Sequence, residues 1–112
     1  MRLILIRHGE TDANLLMRWS GSKDLEITNL TTAGKSQAQE LGSWFKKESF
    51  IPTHVYVSPQ KRAQDTARLA GGHWNIPFVT IDDLKETGAG IFEGLTWNEI
   101  EARYPKQAAN FK

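Results

Sequence analysis

The chain has 112 residues, of which 39% are hydrophobic and 24% charged, a composition typical of one globular domain. Its formal net charge of +1 excludes the strongly basic footprint of proteins that bind nucleic acid or anionic lipid, so we expect neither partner. The absence of cysteine excludes disulfides, thiolate metal sites and a cysteine nucleophile. The cytoplasm is the predicted location, which the absence of cysteine mildly favours.

The first predicted element is a buried strand at the apolar residues 3–6, a run too short for a signal-peptide core or a membrane span. It leads directly into Arg7, His8 and Gly9. A strand that ends in this way delivers an imidazole and a guanidinium to the carboxyl edge of a sheet, where open α/β folds bind ligands. A polar loop from Gly9 to about residue 30 follows, and its length is typical of loops that carry a site.

A helix and a strand are predicted next. Ala38, Leu41 and Phe45 recur at helical spacing and indicate a helix over residues 32–47. Residues 54–57 are rich in β-branched and aromatic side chains, which favours a strand.

A second helix is predicted to be capped by Ser58, to begin at Pro59 and to end at Gly71 and Gly72. Residues 77–81 are the third predicted strand.

The last part of the chain is predicted to be a loop followed by a helix. Residues 84–95 contain three glycines, which favours a loop. Thr96 and Glu99 then have capping-box spacing and predict a helix through about Tyr104 that Pro105 ends. The alternation of strands and helices along the chain predicts a parallel sheet with right-handed crossovers.

Three motifs occur along the chain in a fixed order. They are Arg7-His8-Gly9-Glu10-Thr11 with Asn14, then Ser58-Pro59-Gln60-Lys61-Arg62-Ala63 with Thr66-Ala67, and then Leu84-Lys85-Glu86 ahead of Phe92-Glu93-Gly94. Together they resemble the histidine phosphatase superfamily, which includes the phosphoglycerate mutases, over essentially the whole chain. The resemblance implies an α/β fold of the phosphoglycerate mutase-like type, with three layers and a parallel sheet, truncated after about three strands. It also implies that residues 1–112 form a single histidine phosphatase domain whose C-terminal half is missing.

His8 is the predicted nucleophile. A phosphate monoester carries nearly two negative charges, so its nucleophile should be neutral and surrounded by cations. Neutral histidine meets this requirement near pH 7, and its attack would form a phosphohistidine that water hydrolyses. Arg7 and Arg62 supply fork-shaped donors for the phosphate oxygens, and Arg62 falls in the first turn of its helix. Asn14 is a further predicted phosphate donor.

Loop residues complete the predicted site. The backbone at Gly21 and Ser22 is a candidate substrate loop. Glu86 matches the general acid of the resembled family, and a partly desolvated carboxyl there would keep its proton to protonate the leaving alkoxide. Taken alone, such a residue is on most chains a solvated loop carboxylate, so the assignment of Glu86 rests on its place in the motif at residues 84–94. We predict a structural role for Glu93, whereas Glu10 has two open interpretations: it orients the site, or it caps a helix or pairs with an arginine.

The remaining histidines and the tryptophans are assigned no role in the chemistry. His54 and His73 lack neighbouring ligands at metal-binding spacing, so we predict no metal and no cofactor. The four tryptophans are predicted to be packing residues: Trp19, Trp44, Trp74 and Trp97. Of these four, Trp19 is placed in the candidate site loop.

Two departures from the mutases favour hydrolysis. In the resembled mutases an Arg-His-Tyr run that helps to bind phosphoglycerate follows the acid, whereas Thr87, Gly88 and Ala89 follow Glu86 here. Ala13 also stands where the mutases usually carry tryptophan. We therefore predict a phosphatase that hydrolyses small-molecule phosphate monoesters.

The length of the chain leaves alternatives open. Members of the resembled family are about twice as long, and their second half supplies another histidine at the phosphate. Gly72 and His73 do not replace it, because they follow a helix and precede Glu86. The resemblance also places the strand at residues 3–6 in the centre of the sheet, beside the strand at 54–57. Phosphoglycerate mutase-type phosphotransfer and a non-catalytic phosphate-binding remnant remain as alternatives, and no pattern identifies the substrate or the oligomeric state.

Overall fold

A computed structural model describes residues 1–86, 88 and 90–111, so Thr87 and Ala89 of the motif that follows Glu86 lie outside the described residues. The helices and strands occur in the order α1 (Asp12–Leu15), α2 (Thr32–Lys47), β1 (Val55–Val57), α3 (Lys61–Gly71), β2 (Phe78–Thr80), α4 (Trp97–Arg103) and α5 (Pro105–Phe111). Single turns of 3-10 helix occupy Glu26–Thr28, Gly72–Trp74, Asp82–Leu84 and Gly90–Phe92. None of the helices in the described ranges combines the length and apolar character needed to cross a membrane.

The described strands form a small parallel sheet. Val55 pairs with Phe78 and Val57 pairs with Thr80. Parallel strands need a crossover, and α3 provides it in a β1–α3–β2 unit. The predicted strands at 54–57 and 77–81 and the predicted helix at 32–47 are therefore confirmed, although each strand is shorter than its prediction.

The prediction of a buried strand at residues 3–6 is wrong in this structure. These residues adopt no strand conformation, and the side chains of Leu3 and Leu5 are 70% and 85% exposed. A strand is stabilised by hydrogen bonds to a neighbouring strand. Within the described residues β1 pairs with β2 and not with residues 3–6, so this apolar run has no ladder to join.

The predicted start of α3 is also wrong. The helix begins at Lys61 with Gln60 as its N-cap residue, not at Pro59. The Ser58 hydroxyl accepts a hydrogen bond from the Gln60 backbone N–H at 3.3 Å and thereby forms a turn before the helix. The first helical N–H, that of Lys61, donates to the Asp24 carboxylate at 3.0 Å, so a distant loop caps this helix.

The helices α2 and α3 pack closely against each other. A methyl group on Gly42 of α2 would lie 2.9 Å from the Leu69 carbonyl oxygen of α3, so glycine permits this approach. At the end of α2, Phe45 is 1% exposed and its ring centroid lies 5.3 Å from Phe50 and 4.9 Å from Trp74. These aromatic contacts anchor the end of α3 to the end of α2.

A second apolar cluster lies under the C-terminal helices. Its buried members are Phe92, Ile100 and Ala108, and the partly buried side chains of Trp19, Leu95, Trp97 and Tyr104 pack against them. Thr96 caps α4 as predicted, because its hydroxyl accepts from the Glu99 N–H at 3.1 Å. Pro105 ends α4 but also begins α5, a helix that the sequence analysis did not predict and that uses proline at its first position.

Two glycines bring the segment after His8 against the start of α2. A methyl group on Gly9 would lie 2.5 Å from the Gly34 carbonyl oxygen, and one on Gly34 would overlap the Glu10 carbonyl oxygen. Only residues without a Cβ atom permit this backbone contact. The position of His8 is therefore tied to the first turn of α2.

Replacing Gly34 with alanine should lower the free energy of unfolding by about 1–3 kcal/mol, because the new methyl group would displace the Glu10 backbone. Urea unfolding measures the change. The control is Gly72→Ala, because Gly72 has a φ of −61° and a methyl group there would lie 4.0 Å from the Arg68 Cγ atom. The control should change the free energy by less than about 1 kcal/mol. Equal losses in the two variants would contradict the proposed backbone contact.

Candidate active site

The candidate site is an open pocket of about 280 Å³ next to the segment that follows residues 3–6. Its walls come from that segment, from helix α1 and from helix α2. The lining residues are Arg7, His8, Gly9, Glu10, Asn14 and Gln37.

The imidazole of His8 is half-buried and has a defined orientation. Its Nδ1 atom lies 2.7 Å from the Gly9 carbonyl oxygen. A carbonyl oxygen only accepts hydrogen bonds, so in neutral His8 the Nδ1 atom carries the proton and Nε2 keeps its lone pair. The hydrogen bond therefore selects the tautomer in which Nε2 has the free lone pair.

The surroundings of His8 favour its neutral form. Burial lowers the pKa of His8 below its ordinary value of 6.5, and the positive charges of Arg62 and Arg7 lower it further. The hydrogen bond to Gly9 and the negative charge of Glu86 act in the opposite direction but do not cancel the shift of this pKa. The net result is an imidazole that is more often neutral near pH 7 than an exposed histidine.

Helix α3 holds the backbone next to His8. The Gly9 N–H donates to the Thr66 hydroxyl at 3.0 Å, and that hydroxyl donates to the Arg62 carbonyl oxygen at 2.7 Å. These contacts are buried. His8 and Arg62 are thus linked through one hydroxyl group, although they are distant in sequence.

Helix α2 holds the next residue. The Glu10 N–H donates to Gln37 Oε1 at 2.9 Å, and the Glu10 carboxylate accepts from the Thr31 hydroxyl at 2.8 Å. Thr31 is the N-cap residue of α2. Of the two interpretations of Glu10, this contact with an N-cap residue supports the one in which Glu10 acts at a helix end, and its partner there is a threonine rather than an arginine.

Asn14 reaches the pocket from α1. Its Oδ1 atom accepts from the Thr11 N–H at 2.9 Å and from the Thr11 hydroxyl at 3.0 Å. Because the oxygen is used in this cap, the amide NH₂ group is the end of Asn14 that can donate to a ligand.

Arg62 lies in the first turn of α3, as predicted, and its side chain is 1% exposed. Its Nη2 atom donates to the Gly21 carbonyl oxygen at 2.9 Å and forms an ion pair with Glu86 Oε2 at 2.7 Å. The Nε and Nη1 atoms of Arg62 are buried and have no hydrogen-bond partner in the described part of the chain. Unsatisfied donors on a buried guanidinium are costly, which points to an anion that would accept from them.

Gly21 and Ser22 are held by other contacts in this structure. The Gly21 carbonyl oxygen accepts from Arg62 and, at 2.6 Å, from the Gln60 side chain. The Ser22 N–H donates to Glu93 Oε1 at 3.0 Å. Donation from Ser22 to a phosphate would require the contact with Glu93 to open, and this contact agrees with the structural role predicted for Glu93.

Glu86 is more exposed than expected. Its side chain is 54% exposed, so the predicted partial desolvation of this carboxyl is wrong in this structure. The residue follows the surface turn Asp82–Leu84 and is held from the protein side by Arg62. Its backbone N–H donates to Gln60 Oε1 at 3.2 Å.

Two polar residues of α3 and its N-cap were missed by the sequence analysis. Thr66 stands in the second motif without a role, yet its hydroxyl links Gly9 to Arg62. Gln60 was quoted within a motif without a role, yet it is 5% exposed and contacts the loops of Gly21 and Glu86. A polar residue beside a motif arginine is the signal that would have drawn attention to Gln60.

The other histidines lie in aromatic surroundings. The exposed ring of His54 stacks on Tyr56 with a centroid distance of 6.2 Å, and exposed His73 contacts Trp74 at 5.5 Å. Across the described ranges of the chain, no three His, Asp or Glu side chains are arranged to hold a metal ion. Trp19 packs against Phe92 at 5.6 Å, in agreement with its predicted packing role.

Curated proteins with similar sequences include phosphatases and mutases. The uncharacterized phosphatase PhoE of Bacillus subtilis (strain 168) is 39% identical over 90% of this chain and 50% of its own length. An acid phosphatase of Mycobacterium tuberculosis is 34% identical, with coverages of 93% and 48%. A 2,3-bisphosphoglycerate-dependent phosphoglycerate mutase of Maricaulis maris is 34% identical, with coverages of 92% and 42%. The chain spans about half the length of the curated relatives it matches.

Solved structures with the same fold are also phosphatases or related proteins. An alpha-ribazole phosphatase from Shigella flexneri superposes with a TM-score of 0.84 at 33% identity, over 95% of this chain and 50% of that structure. The Bacillus stearothermophilus protein YhfR gives a TM-score of 0.80 at 33% identity, with coverages of 94% and 50%. The predicted phosphoglycerate mutase-like α/β fold is therefore confirmed. The model of the histidine phosphatase superfamily (branch 1) matches residues 3–112, and the chain belongs to this superfamily.

Proposed function

We propose that this chain contributes the nucleophile and the main phosphate-binding arginine of a phosphatase that hydrolyses small-molecule phosphate monoesters. The observation that carries the proposal is the buried guanidinium of Arg62. Two of its nitrogens have no hydrogen-bond partner in the described residues, and its positive charge favours the neutral form of His8. A phosphate group supplies the acceptor oxygens and the negative charge that these N–H groups lack.

The first chemical step is attack by His8. The lone pair on Nε2 forms a P–N bond while the bond from phosphorus to the leaving oxygen breaks. Arg62 and the more exposed Arg7 offset the negative charge of the phosphoryl oxygens. In this role the hydrogen bond from Nδ1 to the Gly9 carbonyl stabilises the positive imidazolium that forms.

Glu86 is the proposed proton donor. Once released from Arg62, its carboxylate would take up the remaining proton of a monoprotonated phosphate monoester, give that proton to the leaving alkoxide, and then take one from the water that attacks the phosphohistidine. That water forms the new P–O bond, the P–N bond breaks and neutral His8 is restored, so the products are the alcohol and inorganic phosphate. The ion pair between Glu86 and Arg62 must first be released, and an incoming phosphate competes directly for the same guanidinium.

Hydrolysis is supported over a non-catalytic phosphate-binding role. A binding protein needs Arg62 but has no evident use for a neutral histidine with an oriented lone pair or for a carboxylate beside it. Among the relatives, the B. subtilis phosphatase has a higher identity than the M. maris mutase, which favours transfer to water over transfer to a second substrate hydroxyl.

Replacing His8 with alanine should reduce phosphatase activity by about 10³-fold or more, because the variant lacks the imidazole that is proposed to form the P–N bond. The assay is release of inorganic phosphate from a panel of monoesters, and quenching in alkaline detergent after mixing with a ³²P-labelled substrate should trap an acid-labile phosphohistidine in the parent protein. The control is His73→Ala, which removes an exposed histidine that contacts Trp74. Trapped phosphate in the His8→Ala variant would contradict the assignment of the nucleophile.

The pKa of His8 should rise when Arg7 is replaced with glutamine, because a positive charge that lowers this pKa is removed. Arg7→Lys keeps the charge and should leave the pKa nearly unchanged. A titration of the imidazole carbon-bound protons by NMR measures both variants. An unchanged pKa in Arg7→Gln would show that Arg7 does not act on His8.

Folding stability should also depend on the protonation of His8. Since the pKa of His8 is lower in the folded state, the unfolded chain binds more protons in the interval below 6.5. The contribution of His8 is therefore fully present above that value and is lost as the pH falls through the folded-state pKa. Urea unfolding of the parent and His8→Ala proteins across this interval should show a smaller pH dependence in the variant.

A further inference from the structure

Gln60 is a buried amide between two loops of the candidate site. It is the N-cap residue of α3, but its side chain caps no helical N–H. Instead Nε2 donates to the Gly21 carbonyl oxygen at 2.6 Å, and Oε1 accepts from the Glu86 N–H at 3.2 Å. One side chain that is 5% exposed therefore connects the loop of Gly21 with the loop of Glu86.

The two contacts require both ends of a carboxamide. A buried backbone N–H needs an acceptor and a buried carbonyl needs a donor, and an amide provides one of each at a fixed separation. An apolar side chain of the same size would fill the space but leave the Glu86 N–H without this partner. The Gly21 carbonyl would keep only its bond from Arg62.

Arg62 makes a parallel pair of contacts with the same two loops. It binds the Gly21 carbonyl oxygen and the Glu86 carboxylate, whereas Gln60 binds the same carbonyl oxygen and the Glu86 backbone. When a phosphate binds the guanidinium, the Glu86 carboxylate is released from Arg62. The hydrogen bond between Gln60 and the Glu86 backbone does not involve that carboxylate, so it remains when the phosphate replaces the carboxylate at Arg62.

We propose that Gln60 is a positioning residue that keeps Glu86 within reach of the leaving group while the Glu86 carboxylate is free of Arg62. The proposal rests on the proposed function, because it assumes that Glu86 is the proton donor. It assigns Gln60 a role in proton transfer and none in the attack of His8.

The test is Gln60→Met, which keeps an unbranched side chain of similar volume and removes both hydrogen bonds. A poor leaving group depends on protonation, whereas p-nitrophenolate leaves with little help from an acid. We expect kcat for ethyl phosphate to fall about tenfold or more and kcat for p-nitrophenyl phosphate to fall less than about threefold. An equal loss for the two substrates would overturn the proposal.

The matched control is Gln64→Met. Gln64 lies one turn along the same helix, and its amide donates to the Ser58 carbonyl oxygen at 2.7 Å without contacting Glu86. This variant loses a partly buried side-chain hydrogen bond that does not involve Glu86. It should therefore change kcat for both esters by the same factor. A leaving-group dependence as large as that of Gln60→Met would overturn the proposal.

Amide hydrogen exchange tests the proposal without turnover. In Gln60→Met the Glu86 amide should exchange about tenfold faster than in the parent, while amides inside α2 keep their rates and report an intact fold. An unchanged Glu86 rate overturns the positioning role. Failure to trap phosphohistidine at His8 would instead overturn the proposed function, so the two failures are distinguishable.

Discussion

The buried guanidinium of Arg62 is the constraint on which the arrangement of the site depends. Removing a permanently charged group from water costs several kcal/mol unless hydrogen bonds and an opposite charge replace the lost hydration. The Gly21 carbonyl and the Glu86 carboxylate do so at Nη2 alone, and the other two nitrogens are unsatisfied in the described residues. These unsatisfied nitrogens thus lower the free energy of unfolding at the place where an anion would bind, a pattern typical of binding and catalytic sites.

Close backbone packing transmits this constraint to His8. Thr66 joins the Arg62 backbone to Gly9, and Gly34 allows the first turn of α2 to contact the other side of the same segment. The residues around His8 therefore lie between two helices that themselves pack through Gly42. The His8 side chain on this segment therefore keeps its position relative to Arg62 without strand hydrogen bonds at residues 3–6.

Elements with a strong local signal could be predicted from the sequence, and elements that depend on distant partners could not. The helical spacing of Ala38, Leu41 and Phe45 predicts α2 at the bounds that the structure gives. The apolar run at residues 3–6 has the composition of a strand, but a strand also needs a neighbour, and composition does not supply one. Ser58 has a hydroxyl suited to capping a helix, but that hydroxyl bonds to Gln60. Asp24, which lies 37 residues before Lys61 in the sequence, caps the helix instead. For the site, the motifs identified its residue types, whereas the exposure of Glu86 and the contacts of Gln60 arise only from tertiary packing.

The two sides of the Arg62–Glu86 ion pair are unequal, and this inequality gives the proposed mechanism its direction. Arg62 is 1% exposed and depends on a partner, whereas Glu86 is 54% exposed and is readily hydrated when the contact breaks. A phosphate that replaces the carboxylate therefore keeps the guanidinium paired and releases an anion that water accommodates at little cost. In the proposed reaction, substrate binding would thus free the Glu86 carboxylate to take up the proton of a monoprotonated monoester and pass it to the leaving group beside it.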